Sequence, residues 1–210
     1  MESKLLEDWP LSYTEYLARR TFLGVSGERI PEALKLIETA QRCQTNVLLP
    51  TAFYELACAW GTHWEDIYQN ISPGNMARLS VGRARCDQRL RSLTAGNSSD
   101  SPLMWPSANL NVDAPLTIFK HRENFRCSSR CSFNILPISR TKLVECAFDG
   151  IFALTALQQA ARADFTVYCK ECKGWIMSVL ENKIQELWEN IPTDFDLPPI
   201  DPELYSKRLH

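Results

Sequence analysis

Four of the eight cysteines occur in two close pairs, a pattern that can bind a metal or carry thiol chemistry. One pair is Cys127-x-x-x-Cys131 and the other is Cys169-x-x-Cys172. Tetrahedral zinc takes four thiolates at about 2.3 Å, and turns with two to four residues between cysteines deliver them two at a time. The spacing therefore predicts one structural zinc site formed by Cys127, Cys131, Cys169 and Cys172.

The same cysteines have two other interpretations, which the sequence leaves open. They can be reduced thiols that only pack, or Cys169 can be the nucleophile of a thiol-disulfide oxidoreductase with Cys172 as its resolving thiol. A cysteine pair at a helix start has its thiolate stabilised by the macrodipole, which suits both metal binding and thiol exchange. Redox pairs usually follow a strand, whereas the preceding segment here has a helical pattern, so zinc is favoured.

The remaining residues give little sign of catalysis. The only histidines are His63, His121 and His210, and the chain has no Gly-x-Ser-x-Gly, no glycine-rich phosphate loop and no His-Glu-x-x-His. His121 stands in a basic segment and is interpreted as solvated, and the run from His63 to Asp66 as a polar loop between helices. Cys43, Cys58 and Cys86 have helical neighbours that suit core positions. We expect no catalytic residue and no enzyme activity.

A basic cluster gives a weaker alternative, binding of nucleic acid through one helix. No aromatic platform for bases is interleaved with these arginines, so a solvated face that pairs with acidic neighbours is favoured over a phosphate-binding surface. The cluster consists of Arg78, Arg83, Arg85, Arg89 and Arg91.

The overall composition is that of an ordinary globular protein. Of 210 residues, 45% are hydrophobic and 23% charged, and the formal net charge of −2 gives no general attraction to nucleic acid or anionic membranes. The N-terminus has no signal-peptide pattern, and no window approaches the roughly 20 apolar residues that span a bilayer. We therefore expect an intracellular protein, cytoplasmic or nuclear, with reduced cysteines and no membrane partner.

The first half of the chain predicts four helices from local start signals. Ser12 and Glu15 have the spacing of a capping box, which predicts a helix from residue 13 to about 23. Pro31 opens a second helix that ends near Cys43, and Pro50 opens a third, short one. Ser72-Pro73 opens the fourth.

The second half predicts further helices over about 116–126, 139–148, 151–163 and 172–190, the last closed by Ile191-Pro192. This last helix has the clearest apolar face. The fold class that follows is mostly α, an irregular bundle of about six to eight helices with a possible zinc-clamped C-terminal lobe.

The chain divides by composition into four parts that together form one compact domain. The parts are an N-terminal helical part over 1–93, a Gly-, Ser- and Pro-rich linker or loop over 94–115, a cysteine-containing helical part over 116–197 and a tail over 198–210.

An ordered series of short motifs resembles one known family. The motifs match the region that follows the BTB/POZ fold in BTB-domain proteins of fungi, especially mushroom-forming fungi. The shared blocks are Trp9-Pro10, Glu32-Ala33-Leu34-Lys35-Leu36-Ile37, Leu49-Pro50-Thr51-Ala52-Phe53-Tyr54-Glu55-Leu56, Leu79, Gly82-Arg83, the paired cysteines, Leu187-Trp188-Glu189-Asn190-Ile191-Pro192 and Phe195-Asp196-Leu197.

The resemblance implies a protein-interaction module and no reaction. A BTB fold would need about a hundred residues before the Trp9-Pro10 block, so the resemblance covers the following region without the BTB fold itself. BTB dimerisation and recruitment of cullin-type ubiquitin ligases are therefore not carried over. The function predicted from the sequence is a non-catalytic intracellular interaction or adaptor domain with a structural zinc and a protein partner of unknown identity.

Overall fold

The structure is a computed structural model that describes residues 9–23, 29–94, 103–104, 117–118, 149–163 and 170–198. Most of these residues are helical, which confirms the mostly-α prediction. The elements are helices α1 (Tyr13–Leu23), α2 (Arg29–Cys43), α3 (Leu49–Asn70), α4 (Pro73–Thr94), α5 (Gly150–Ala163) and α6 (Lys170–Asp194), a 3-10 turn at Asn46–Leu48, and strands β1 (Leu103–Met104) and β2 (Thr117–Ile118).

The start of α1 is held by the predicted capping box. The backbone N–H of Glu15 donates to Oγ of Ser12 at 3.2 Å, and Oε2 of Glu15 accepts from the backbone N–H of Leu11 at 2.8 Å. The first bond satisfies an amide of the first helical turn, and the second ties the Glu15 carboxylate back to the residue that precedes the cap. The helix spans Tyr13–Leu23, the predicted range.

Helix α3 is much longer than the predicted short helix. The run from His63 to Asp66 was predicted as a loop, but it continues the helix to Asn70 with a kink at His63, whose φ and ψ are −131° and 27°. The loop prediction was wrong because it relied on the polar residues of this run and overlooked Ile67. Ile67 lies beyond the kink and is completely buried. Its burial holds the last part of α3 against the core.

Helix α6 passes the proline that was predicted to end it. Pro192 lies in its last turn, and the helix ends at Asp194. The end is a Schellman arrangement with Asp196 at a φ of 49°, in which the N–H of Asp196 donates to O of Thr193 and the N–H of Leu197 donates to O of Pro192. Nη1 of Arg85 also donates to the carbonyls of Thr193 and Asp194, so it satisfies carbonyls at this end of the helix.

The predicted helix over 116–126 is contradicted at its start. Thr117–Ile118 forms an antiparallel pair with Leu103–Met104, in which Leu103 faces Ile118 and Met104 faces Thr117. The β-branched side chains of Thr117 and Ile118 favour extended backbone, and a partner strand satisfies their amides. The predicted helix over 139–148 lies outside the described residues.

The chain forms two compact units, one of Met1–Cys86 with Trp188–His210 and one of Asp87–Leu187. In the first unit α2 packs on α3, and a group of aromatic rings fills the core. Tyr16 lies 5.5 Å from the Tyr54 ring and 5.6 Å from the Trp188 ring, while the Phe53 and Phe195 rings are 5.7 Å apart. The division predicted from composition stays a prediction.

In the second unit α5 and α6 each bury apolar residues, Ile151 and Leu154 on α5 and Ile176, Leu180 and Ile184 on α6. Asp149 caps α5, since its Oδ1 accepts from the N–H of Phe152 at 2.8 Å. Two polar bonds join the described parts of the helices: Nε2 of Gln158 donates to Oε2 of Glu181 at 2.7 Å, and Nζ of Lys173 donates to O of Arg162 at 2.6 Å.

Gly82 in α4 is required by the ring of Phe195. A Cβ at position 82 would overlap Cδ1, Cε1 and Cγ of that ring, which is fully buried and has no room to withdraw. We expect Gly82→Ala to lower the free energy of unfolding by about 1–3 kcal/mol, despite the better helix propensity of alanine. Urea denaturation of the purified chain measures this.

Gly74 is the matched control for this substitution, because it lies in the same helix and a Cβ there meets nothing within 4 Å. Gly74→Ala should leave stability unchanged or raise it by up to about 1 kcal/mol. Equal effects of the two substitutions would contradict the packing of Phe195 on α4.

Candidate functional site

The predicted zinc ligands fall almost entirely outside the described residues. This holds for Cys127, Cys131 and Cys169, whereas Cys172 is the third residue of α6. In the described part of the chain, no group of three or more His, Cys, Asp or Glu residues could hold a metal ion. The zinc site therefore stays a prediction.

The three other described cysteines have separate environments. Sγ of Cys58 lies 3.9 Å from Oη of Tyr16, and Sγ of Cys86 donates to Oδ2 of Asp194 at 3.7 Å, both in partly buried positions. Cys43 is exposed at the end of α2. A core position for Cys43 was therefore wrongly predicted, because the apolar face of α2 ends at Ala40.

Two arginines of the basic cluster make contacts inside the first unit. Arg85 caps the end of α6 and pairs with Asp196, with Nη1 and Oδ1 2.6 Å apart. The guanidinium of Arg83 lies 5.7 Å from the centre of the Trp60 ring. These contacts give both side chains a structural role, and pairing with an acidic neighbour was predicted for this face. Nucleic-acid binding by the cluster stays a prediction.

The sequence analysis missed a buried ion pair between Arg29 and Glu55. Their side chains are 8% and 6% exposed, and Nη2 of Arg29 lies 2.7 Å from Oε1 of Glu55. The Trp9 ring lies beside the buried arginine, with the Arg29 guanidinium 5.9 Å from its ring centre and that of Arg19 at 5.0 Å. A glutamate inside the apolar stripe of α3 was the signal that a buried cation would be needed.

An exposed aromatic pair stands out on α3. The Trp64 side chain is 49% exposed and Tyr68 63%, and apart from Val81 they are the exposed large hydrophobic residues of the described chain. Their ring centres are 6.2 Å apart at an interplanar angle of 57°. Because residues four apart lie on one face of a helix, the two rings form a single surface feature.

The buried neighbour Ile67 fixes which way this face points. At about 100° per residue, Trp64 and Tyr68 lie on one side, Glu65 and Gln69 border them, and Ile67 lies on the inward flank. Glu65 and Gln69 are both exposed. We call the surface formed by Trp64, Glu65, Tyr68 and Gln69 the aromatic-acidic patch.

The charged side chains that α3 itself places near the patch are acidic. Helix α3 contains no Lys or Arg, and its exposed carboxylates Glu65 and Asp66 both lie beyond the kink at His63. Oδ2 of Asp66 lies 3.6 Å from Nδ1 of His63. Glu65, on the patch side, adds negative charge beside the rings.

No protein-family model, no curated protein and no solved structure matches the chain. The resemblance to the region after the fungal BTB fold therefore stays a prediction. Among the helices that the structure describes, none is both long and apolar enough to cross a lipid bilayer.

We expect Glu55→Gln to lower the free energy of unfolding by about 3–5 kcal/mol, because it leaves the Arg29 charge buried without its counter-ion. Replacing both partners by apolar residues, as in Arg29→Met with Glu55→Leu, should restore most of this loss. Urea denaturation of the three proteins measures it.

Glu32→Gln is the control, since Glu32 pairs with Arg19 at 3.6 Å with its side chain 60% exposed. Exposed pairs contribute at most about 1 kcal/mol, so this variant should unfold almost like the natural chain. If Glu55→Gln lowered the free energy of unfolding no more than Glu32→Gln, the buried pair would not be important for the stability of the first unit.

Proposed function

We propose that the chain is an intracellular, non-catalytic protein-interaction domain and that a partner protein binds at the aromatic-acidic patch. The observation that carries this proposal is the exposure of Trp64 and Tyr68 side by side. Tryptophan and tyrosine are enriched at the energetic centres of protein interfaces, because each buries a large area with little loss of conformational freedom. Covering both rings removes apolar surface from water.

The other conspicuous charged groups support a non-catalytic function, because they serve the fold. Arg29 and Glu55 neutralise each other in the core, and Arg85 holds the end of α6. Burial lowers the pKa of Lys183, and the charge of Glu186, three residues further along α6, acts to raise it. A lysine paired with a glutamate at this helical spacing is a common stabilising arrangement.

The packing of the family-like motifs supports the same proposal. Oγ1 of Thr51 donates to O of Pro10 at 2.8 Å, and Phe195 packs on both Phe53 and Gly82. Residues from four separate motif blocks thus contact one another in the first unit. Trp64 and Tyr68 belong to none of these blocks. We therefore propose a fold of the post-BTB type whose partner is selected by residues outside the shared motifs.

We further propose that a structural zinc, bound by Cys127, Cys131, Cys169 and Cys172, fixes the start of α6. Cys172 lies in the first turn of this helix, where the positive end of the macrodipole favours a thiolate. A site closed by four thiolates leaves no position for a reactive water, so the metal would contribute stability and no Lewis-acid chemistry. The alternative thiol-disulfide oxidoreductase would use the same helix start.

Replacing Trp64 and Tyr68 by alanine should abolish partner binding without affecting the fold, since both side chains are largely exposed. The test is quantitative affinity purification from cells of the source organism, followed by titration of each retained protein, purified, against the natural chain and the double variant. We expect at least a hundredfold loss of affinity, because hot-spot residues each contribute about 2 kcal/mol or more.

Val81→Ala is the control, because Val81 is the other exposed large hydrophobic residue of the described chain. It should bind the purified partner like the natural chain. A partner bound equally by all three proteins would place the interface elsewhere, and a chain that retains no protein specifically would contradict the proposed function.

Metal analysis of protein purified without added metal should find about one zinc per chain. Cys172→Ser should lose the metal and melt at a lower temperature, because zinc bound to the native state contributes directly to folding.

Cys43→Ser is the matched control, since Cys43 is exposed and outside both pairs; it should keep the zinc and the melting temperature. Sub-stoichiometric metal together with unchanged melting in a chelator would contradict the zinc proposal. Turnover in an insulin-reduction assay that disappears in Cys169→Ser would instead establish the oxidoreductase.

A further inference from the structure

We infer that the aromatic-acidic patch selects an arginine-containing basic segment of its protein partner, an inference that rests on the proposed function. The patch combines two features that a guanidinium recognises, exposed aromatic faces and a carboxylate beside them. Exposed rings and exposed carboxylates are each common on protein surfaces. Here they lie on adjacent faces of one helix segment, and this combination favours an arginine of the partner.

The geometry of the two rings suits a planar cation. Guanidinium groups are attracted to aromatic faces within about 6 Å of the ring centre, and the Trp64 and Tyr68 rings stand 6.2 Å apart with a tilt of 57°, so one arginine can approach both. The chain itself uses this contact elsewhere: Arg19 lies over Trp9, and Arg83 lies over Trp60. The exposed Trp64 offers a partner's arginine the same kind of contact.

The charge distribution selects a basic partner over an acidic one. Glu65 borders the rings and can accept two parallel hydrogen bonds from one guanidinium, which an ammonium group cannot match in geometry. The phosphates of nucleic acid or anionic lipid would be repelled by the same carboxylate.

The experiment uses three fluorescein-labelled peptides of equal length in which glycine and serine alternate with arginine, lysine or citrulline. Citrulline keeps the planar group without the charge, and lysine keeps the charge without the planar group. Fluorescence anisotropy at near-physiological salt, about 0.15 M, should rank arginine above lysine and lysine above citrulline, with about a tenfold difference in affinity between the first and the last.

Three variants of the full chain locate the binding. Trp64→Ala and Glu65→Lys should each weaken the arginine peptide about tenfold. Glu38→Lys makes the same change in net charge at an exposed position of α2, and should change the affinity less than twofold. Circular dichroism melting of each variant verifies that its fold is intact.

Equal binding of the arginine and lysine peptides, or equal weakening by Glu65→Lys and Glu38→Lys, would mean general charge attraction and would overturn the inference. Absence of binding by the arginine peptide would overturn it as well, as would tighter binding of a labelled oligothymidine. If a cellular partner still required Trp64 and Tyr68, the proposed function would stand and only the arginine preference would be wrong.

Discussion

The buried ion pair of Arg29 and Glu55 is the constraint on which the first unit depends. It joins the start of α2 to the first half of α3, beside the ring of Trp9. A buried charge that loses its partner is strongly unfavourable, so the pair tolerates few alternative registers of the two helices. The ion pair fixes α3, and Ile67 is buried beyond the kink. In this part of the helix Trp64 and Tyr68 are therefore exposed to solvent.

Features governed by neighbours in the chain were accurately predicted from the sequence. The capping box of Ser12 and Glu15 and the helix starts near Pro50 and Pro73 are set by backbone amides and by proline's fixed φ, which act within one turn. Errors arose where tertiary contacts override local signals. Pro192 lacks one backbone donor, but the helix continues past it to Asp194, where Arg85 and the Schellman turn satisfy the last carbonyls of α6.

The candidate site was predicted less well than the fold. Cysteine spacing identifies possible zinc ligands, but no local rule tells whether two distant pairs meet in space. The aromatic-acidic patch was missed because the polar residues around Trp64 suggested a loop. The spacing of the three residues could have revealed the patch. Trp64 and Tyr68 are four residues apart, which places both rings on one face of a helix, and Ile67 between them lies on the buried side.

Surface recognition by Trp64 can be tested with an ¹⁵N NMR spectrum, which shows the side-chain N–H signals of the six tryptophans. Trp64→Phe assigns the signal of interest. On addition of the arginine peptide we expect the Trp64 signal to move most and that of Trp9, buried in the core, to stay in place. A Trp64 signal that does not respond, or a larger response from Trp9, would contradict the proposed binding surface.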